Sequence, residues 1–102
     1  MLCGAIDIGS NTTRLLVAEP QEGQLRKVME QRAYTRIGKG ASKNGSITAE
    51  KVAEVAEAVT TQVRLAEEMG AEVIKAVATA AIREAKNRDK VVREIEEAAG
   101  VQ

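Results

Sequence analysis

The sequence predicts a mixed α/β fold: a three-stranded antiparallel meander, a crossover helix, a parallel fourth strand and a C-terminal helix. Three observations carry that prediction. Two apolar, β-rich runs near the N-terminus are joined by small, hydroxylated and amide residues, Gly9-Ser10-Asn11-Thr12. A long amphipathic segment follows, with Val52, Val55, Val59, Val63 and Ala66 at spacings of three and four. A further β-rich run, Val73-Ile74-Lys75-Ala76-Val77, comes directly after it. A strand–helix–strand order of this kind makes the flanking strands run parallel.

Each element has local support. Residues 2–8 read as a buried strand and 14–19 as its antiparallel partner. Pro20-Gln21-Glu22-Gly23 is a second turn, and the looser alternation of 24–34, with Leu25, Val28 and Met29, is a third strand. Gly38, Gly40 and Asn44-Gly45 mark 36–46 as a loop. Thr48 is placed to cap a helix, with Glu50 in its first turn and Ile47 able to staple to Val52. Gly70 stops that helix. Residues 72–78 form the fourth strand and 79–85 a short helical turn. Asn87 can cap a last helix that carries Val91, Val92, Ile95 and Ala98 and ends at Gly100. Its other face carries i,i+4 pairs, Asp89 with Arg93, Lys90 with Glu94 and Arg93 with Glu97, which read as solvated surface.

Composition narrows the function. The 102 residues include no Phe, Trp or His, and Tyr34 is the sole aromatic, so the core must be aliphatic. Without His, Ser-His-Asp catalysis and His-based zinc sites are excluded within the chain. With one ring, base stacking on nucleic acid has no platform. Fifteen basic and fifteen acidic residues cancel, so no global charge points to nucleic acid or a membrane surface. No run approaches the ~20 apolar residues of a membrane helix. The apolar start is short, lacks a basic lead and is broken by Gly4 and Asp7, unlike a signal peptide. Cys3, the single cysteine, excludes an internal disulfide, reads as a small core residue and fits a reducing, cytoplasmic setting.

The charges are unevenly placed. No acid occurs between Gln31 and Ala49, where Arg32, Arg36, Lys39 and Lys43 all fall. The candidate chemistry begins at the first turn. Asp7 sits where a strand ends, beside a glycine that lets successive backbone N–H groups form an anion-binding concavity. A carboxylate there can hold a metal through its water shell. Gly-Ser-Asn also makes an ordinary hairpin turn, so the other segments must decide. With the first strand pointing up, the third and fourth point up as well. Their ends bring Asp7, Arg36 with Lys39, and Thr79 with Arg83 to one rim, where ligands of open α/β sheets bind. Backbone N–H groups of Gly9, Ser10 and Asn11 would then hold a phosphate, and the planar Arg83 would grip its oxygens bidentately. No residue of the chain reads as a convincing general base; Glu84 would point elsewhere.

Ala5-Ile6-Asp7-Ile8-Gly9-Ser10-Asn11-Thr12, then Arg14-Leu15-Leu16-Val17, Arg36-Ile37-Gly38-Lys39-Gly40 and Ala78-Thr79-Ala80-Ala81-Ile82-Arg83-Glu84-Ala85 resemble the N-terminus of the exopolyphosphatase/guanosine pentaphosphate phosphohydrolase (Ppx/GppA) family. The first motif is shared with sugar kinases and actin-like proteins; its combination with the last is more specific. The resemblance implies a ribonuclease-H-like fold of the actin-like ATPase superfamily, present in part, with residues 1–102 as an N-terminal subdomain. It implies removal of terminal phosphate from polyphosphate or guanosine pentaphosphate with Mg²⁺. Asp7 would lie near the metal, and Gly9, Ser10, Asn11, Thr12, Arg14, Arg36, Lys39, Thr79 and Arg83 would surround the phosphate. The catalytic glutamate would lie beyond Gln102, so the 102 residues alone are expected to be inactive. Two alternatives stay open: part of a kinase of the same superfamily, or a non-catalytic polyphosphate- or nucleotide-sensing module. A Val/Ile-rich open edge at the fourth strand predicts self-association as a dimer.

Overall fold

The computed structural model describes residues 1–9, 11–36, 46–78 and 86–100. Four strands and two helices follow one another as β1 (Cys3–Ile8), β2 (Thr13–Gln21), β3 (Gln24–Ala33), α1 (Ala49–Glu68), β4 (Val73–Ala78) and α2 (Arg88–Ala99). The sheet order is β3-β2-β1-β4, with β1 antiparallel to β2 and parallel to β4. As expected, β3 and β4 share a direction, yet they lie at opposite edges. The crossover through α1 spans β2 and β1, whose core-facing side chains are the apolar surface the helix must cover.

Register fixes the rim. Ile8 pairs with Thr13 on one side and Ala78 on the other, and Thr13 pairs with Ala33. Ala33, Thr13, Ile8 and Ala78 therefore form one row across the sheet. The ends of β1, β3 and β4 lie at the same end of the sheet, as the sequence predicts, with those of β3 and β4 at its two opposite sides.

One face of the sheet carries the core: Ile6 and Ile8 from β1, Leu15 and Val17 from β2, then Val52, Val55, Val59, Val63 and Ala66 from α1, and Val91 and Ile95 from α2. No helix among the described residues covers the other face. The turn between β2 and β3 is tighter than the sequence implies. Glu22 and Gly23 alone carry left-handed φ values of 49° and 81°, and the strand runs through Pro20 to Gln21. β1 reaches only Ala18 on β2, so a proline beyond that point has no β1 neighbour to lose.

Thr48 caps α1 as expected, in extended conformation, with Oγ1 accepting from Lys51 N at 3.2 Å. The chain turns left-handed at Gly70, just past α1, and at Gly100, the C-cap of α2. Other expectations are corrected. Asn87 makes no capping bond: its φ of −101° and ψ of 28° lie outside the extended region a cap needs. Its amide instead pairs with both the N–H and the carbonyl of Ile47, each at 3.0 Å. Val92 and Ala98 are exposed, because α2 meets the core along Val91 and Ile95 with Ala99 packed behind them. Cys3 is half-buried on the sheet face away from the helices. The sole salt bridge within α2 among the described residues joins Arg88 to Asp89 at 3.9 Å, and none of the expected i,i+4 pairs closes.

Candidate functional site

Asp7 is the next-to-last residue of β1 and lies on the exposed sheet face. Its strand neighbours in register are Arg14 on β2 and Val77 on β4. Asp7 makes no ion pair with the described residues. Past Ile8 the chain closes on itself: the Gly9 N–H donates to the Thr12 carbonyl at 2.9 Å. A Cβ on Gly9 would sit 2.7 Å from that carbonyl oxygen, so the closure needs glycine for room.

The segment after β3 is tied to the same turn. The Arg36 N–H donates to the Asn11 carbonyl at 3.0 Å, and Arg36 holds a φ of 50°. That left-handed conformation is uncommon for a residue with a long side chain. Arg36 is exposed, as is Tyr34, which shows 71% of its surface to solvent. Asp7, Gly9, Asn11, Thr12, Arg14 and Arg36 are thus brought to one end of the sheet. Ser10, Lys39, Thr79, Arg83 and the helical turn expected over 79–85 lie outside the described residues. The strand leading to Thr79 ends at Ala78, level with Ile8.

Arg14 shares its face with Asp7 and, across β3, with Arg32. Arg32 Nε donates to Glu30 Oε1 at 2.9 Å, and Arg32 Nη2 is also 2.9 Å from it. The hydrogen bond from Arg32 holds the Glu30 carboxyl below the usual carboxylate range. Partial burial opposes this, while the charges of Arg32, Lys27 and Arg14 add to it. Glu30 therefore stays ionised through mild acidification, and its stabilising effect is lost only as pH falls through its lowered pKa. Its charge offsets part of the arginine cluster, leaving Arg14 as the cation beside Asp7 in the strand register.

A group of residues that the motif reading does not single out supports the turn from beneath. Thr13 Oγ1 and Thr35 Oγ1 are 2.9 Å apart and buried. Gln62, on α1, donates from Nε2 to the Thr13 carbonyl at 2.9 Å and to Gln31 Oε1 at 2.8 Å. Lys51 Nζ donates to the Thr35 carbonyl at 2.8 Å and pairs with Glu54. The sequence carries one trace of this. Gln62 falls three residues after Val59, inside the apolar stripe, where a polar side chain must find partners.

Comparison with known proteins agrees with this architecture. Residues 16–102 match the Ppx/GppA phosphatase family. Exopolyphosphatase 2 of Mycobacterium tuberculosis is 35% identical over 89 residues, which cover 83% of this chain and 28% of that protein. The Ppx/GppA enzyme of Aquifex aeolicus superposes with a TM-score of 0.89 at 32% identity, over 99% of this chain and 34% of that one. An exopolyphosphatase of Cytophaga hutchinsonii superposes at 0.91 with 22% identity and supports the fold alone. The chain thus spans about a third of the length of these relatives. Its partial actin-like ATPase fold and its family match agree: the chain belongs to the Ppx/GppA phosphatase family.

Proposed function

We propose that residues 1–102 form the phosphate-binding N-terminal part of a phosphoanhydride hydrolase that removes terminal phosphate from inorganic polyphosphate or guanosine pentaphosphate. The observation that carries this reading is the closed turn from Gly9 to Thr12, which leaves no room for a Cβ and has the Arg36 backbone bound to it. Small-residue turns of this kind direct N–H groups at an anion. The family match supports the hydrolase class, and the names of the relatives support polyphosphate.

Each residue has a proposed role. N–H groups at Ser10, Asn11 and Thr12 orient a terminal phosphate; the Gly9 N–H, expected from the sequence to join them, is instead taken by the Thr12 carbonyl and closes the turn. Arg14, Arg36, Lys39 and Arg83 neutralise its charge, and Thr79 donates a hydroxyl. In phosphoryl transfer, such positioning and neutralisation supply most of the catalysis. Asp7 is the proposed Mg²⁺ residue. No group of three His, Cys, Asp or Glu side chains converges among the described residues. One exposed carboxylate nevertheless suits Mg²⁺, which keeps several waters and shares phosphate oxygens. Bound there, Mg²⁺ would supply charge stabilisation to the phosphate oxygens. The water-activating carboxylate is assigned outside residues 1–102, so this chain binds without turnover.

Titration of the 102-residue protein with tripolyphosphate tests the reading. Saturable binding is expected, and Arg83→Ala should weaken it by about 1–3 kcal/mol, the scale of a lost charge-assisted bond. Unchanged affinity would remove Arg83 from the site. A longer chain of the same protein should release orthophosphate from polyphosphate with Mg²⁺. Transfer to a sugar or acetate would instead mark a kinase.

β4 is an edge strand, and Val77 on it is 62% exposed. We further propose that the chain self-associates along that edge, where unpaired backbone groups can extend a sheet. Sedimentation velocity should show a weight-average mass rising with concentration; a strictly monomeric species would exclude it.

A further inference from the structure

We infer that Thr35 is a positioning residue for the anion site, held in a buried polar clamp that fixes the backbone of Arg36 over the Gly9–Thr12 turn. This deepens the phosphate reading and rests on it. The clamp is a closed circuit that starts and ends on α1. From Gln62 it runs to the carbonyl of Thr13, from the Thr13 hydroxyl to the Thr35 hydroxyl, and from the Thr35 carbonyl to Lys51. Thr13, Thr35 and Gln62 are each at least 97% buried.

Two features separate this circuit from ordinary core filling. Gln62 Oε1 is buried without a hydrogen-bond partner, so the amide is present at a cost that an aliphatic side chain would avoid. Moreover, Thr35 is gripped at both its hydroxyl and its carbonyl, directly before a residue in a conformation that L side chains rarely adopt. The grip and the Arg36 N–H to Asn11 carbonyl bond together define where the Arg36 backbone leaves the sheet. None of the clamp side chains needs to touch the anion. Their part is to keep one cation's attachment point in register with the turn.

The test pairs amide hydrogen exchange with tripolyphosphate titration on the 102-residue protein. Thr13→Val/Thr35→Val replaces both hydroxyls by methyls of similar shape, which a core tolerates better than the loss of one partner. Lys51→Met and Thr35→Ser are measured beside it. The double variant should keep the wild-type denaturant midpoint, whereas Lys51→Met, which leaves the Thr35 carbonyl without its donor, should lower it. Exchange at the Arg36 amide should rise about tenfold or more, as local opening becomes easier. The tripolyphosphate dissociation constant should rise about tenfold, while Thr35→Ser, which keeps the hydroxyl, should leave both at their wild-type values. Wild-type exchange at Arg36 in the double variant would overturn the clamp. Faster exchange with undiminished affinity would overturn its positioning role. A wild-type protein that binds no tripolyphosphate would instead sink the phosphate reading itself.

Discussion

Leu15→Ala should lower the unfolding free energy by about 2–5 kcal/mol, toward the upper end of what a buried leucine truncation costs. Leu15 is fully buried on the core face of β2, between Ile6 of β1 and Gln31 of β3 in register. The size of the loss depends on whether neighbours can close the gap. Here they are Ile6, Val17, Val55, Val59 and Val63 in one cluster, all β-branched and stiff at χ1. Domains of this length have only about 5–15 kcal/mol in total, so one truncation removes a large share. Urea melts should show a lower midpoint at unchanged slope. Leu25→Ala, on the exposed end of β3, is the control and should stay within about 0.5 kcal/mol.

The second large effect should come from Gly9→Ala. The added methyl would stand 2.7 Å from the Thr12 carbonyl oxygen, the same atom that accepts the Gly9 N–H. Because the obstacle is backbone, no side chain can swing aside, and the turn itself must open. A stability loss of about 1–3 kcal/mol is expected from the steric conflict. If the turn holds the anion as proposed, affinity for tripolyphosphate should fall about 10–100-fold as it opens, the scale of one charge-assisted bond. Calorimetric titration measures the second quantity and denaturant melts the first. Retained affinity would show that the amides of this turn do not hold the anion.

Local signals made most of the architecture legible in the sequence. Thr48 caps because its hydroxyl reaches an N–H three residues on, and Gly70 and Gly100 turn left-handed because only glycine does so freely. The stripe from Val52 to Ala66 is buried as its period requires. The shared rim followed from strand direction alone. Long-range partnerships were not legible. Nothing near Val73 says that β4 pairs with β1 rather than another strand. Asn87 is a plausible cap by type, but its amide matches both backbone groups of Ile47, forty residues away. The Thr13–Thr35 pair likewise joins two unremarkable threonines. Of the site, Asp7 and the glycine turn were visible because their chemistry lies in one short stretch. The clamp was not, apart from the polar Gln62 within an apolar stripe, since its members come from β2, α1 and the segment after β3.

The chain's one aromatic ring stands beside this clamp. Tyr34 precedes Thr35 directly and lies open to water. With neither tryptophan nor phenylalanine elsewhere, the near-ultraviolet absorbance, circular dichroism and intrinsic emission of the protein come from that single phenol. Evolution has left this polypeptide with a native optical probe seated next to the rim where β1 and β3 end, reporting on that neighbourhood without any label or competing chromophore.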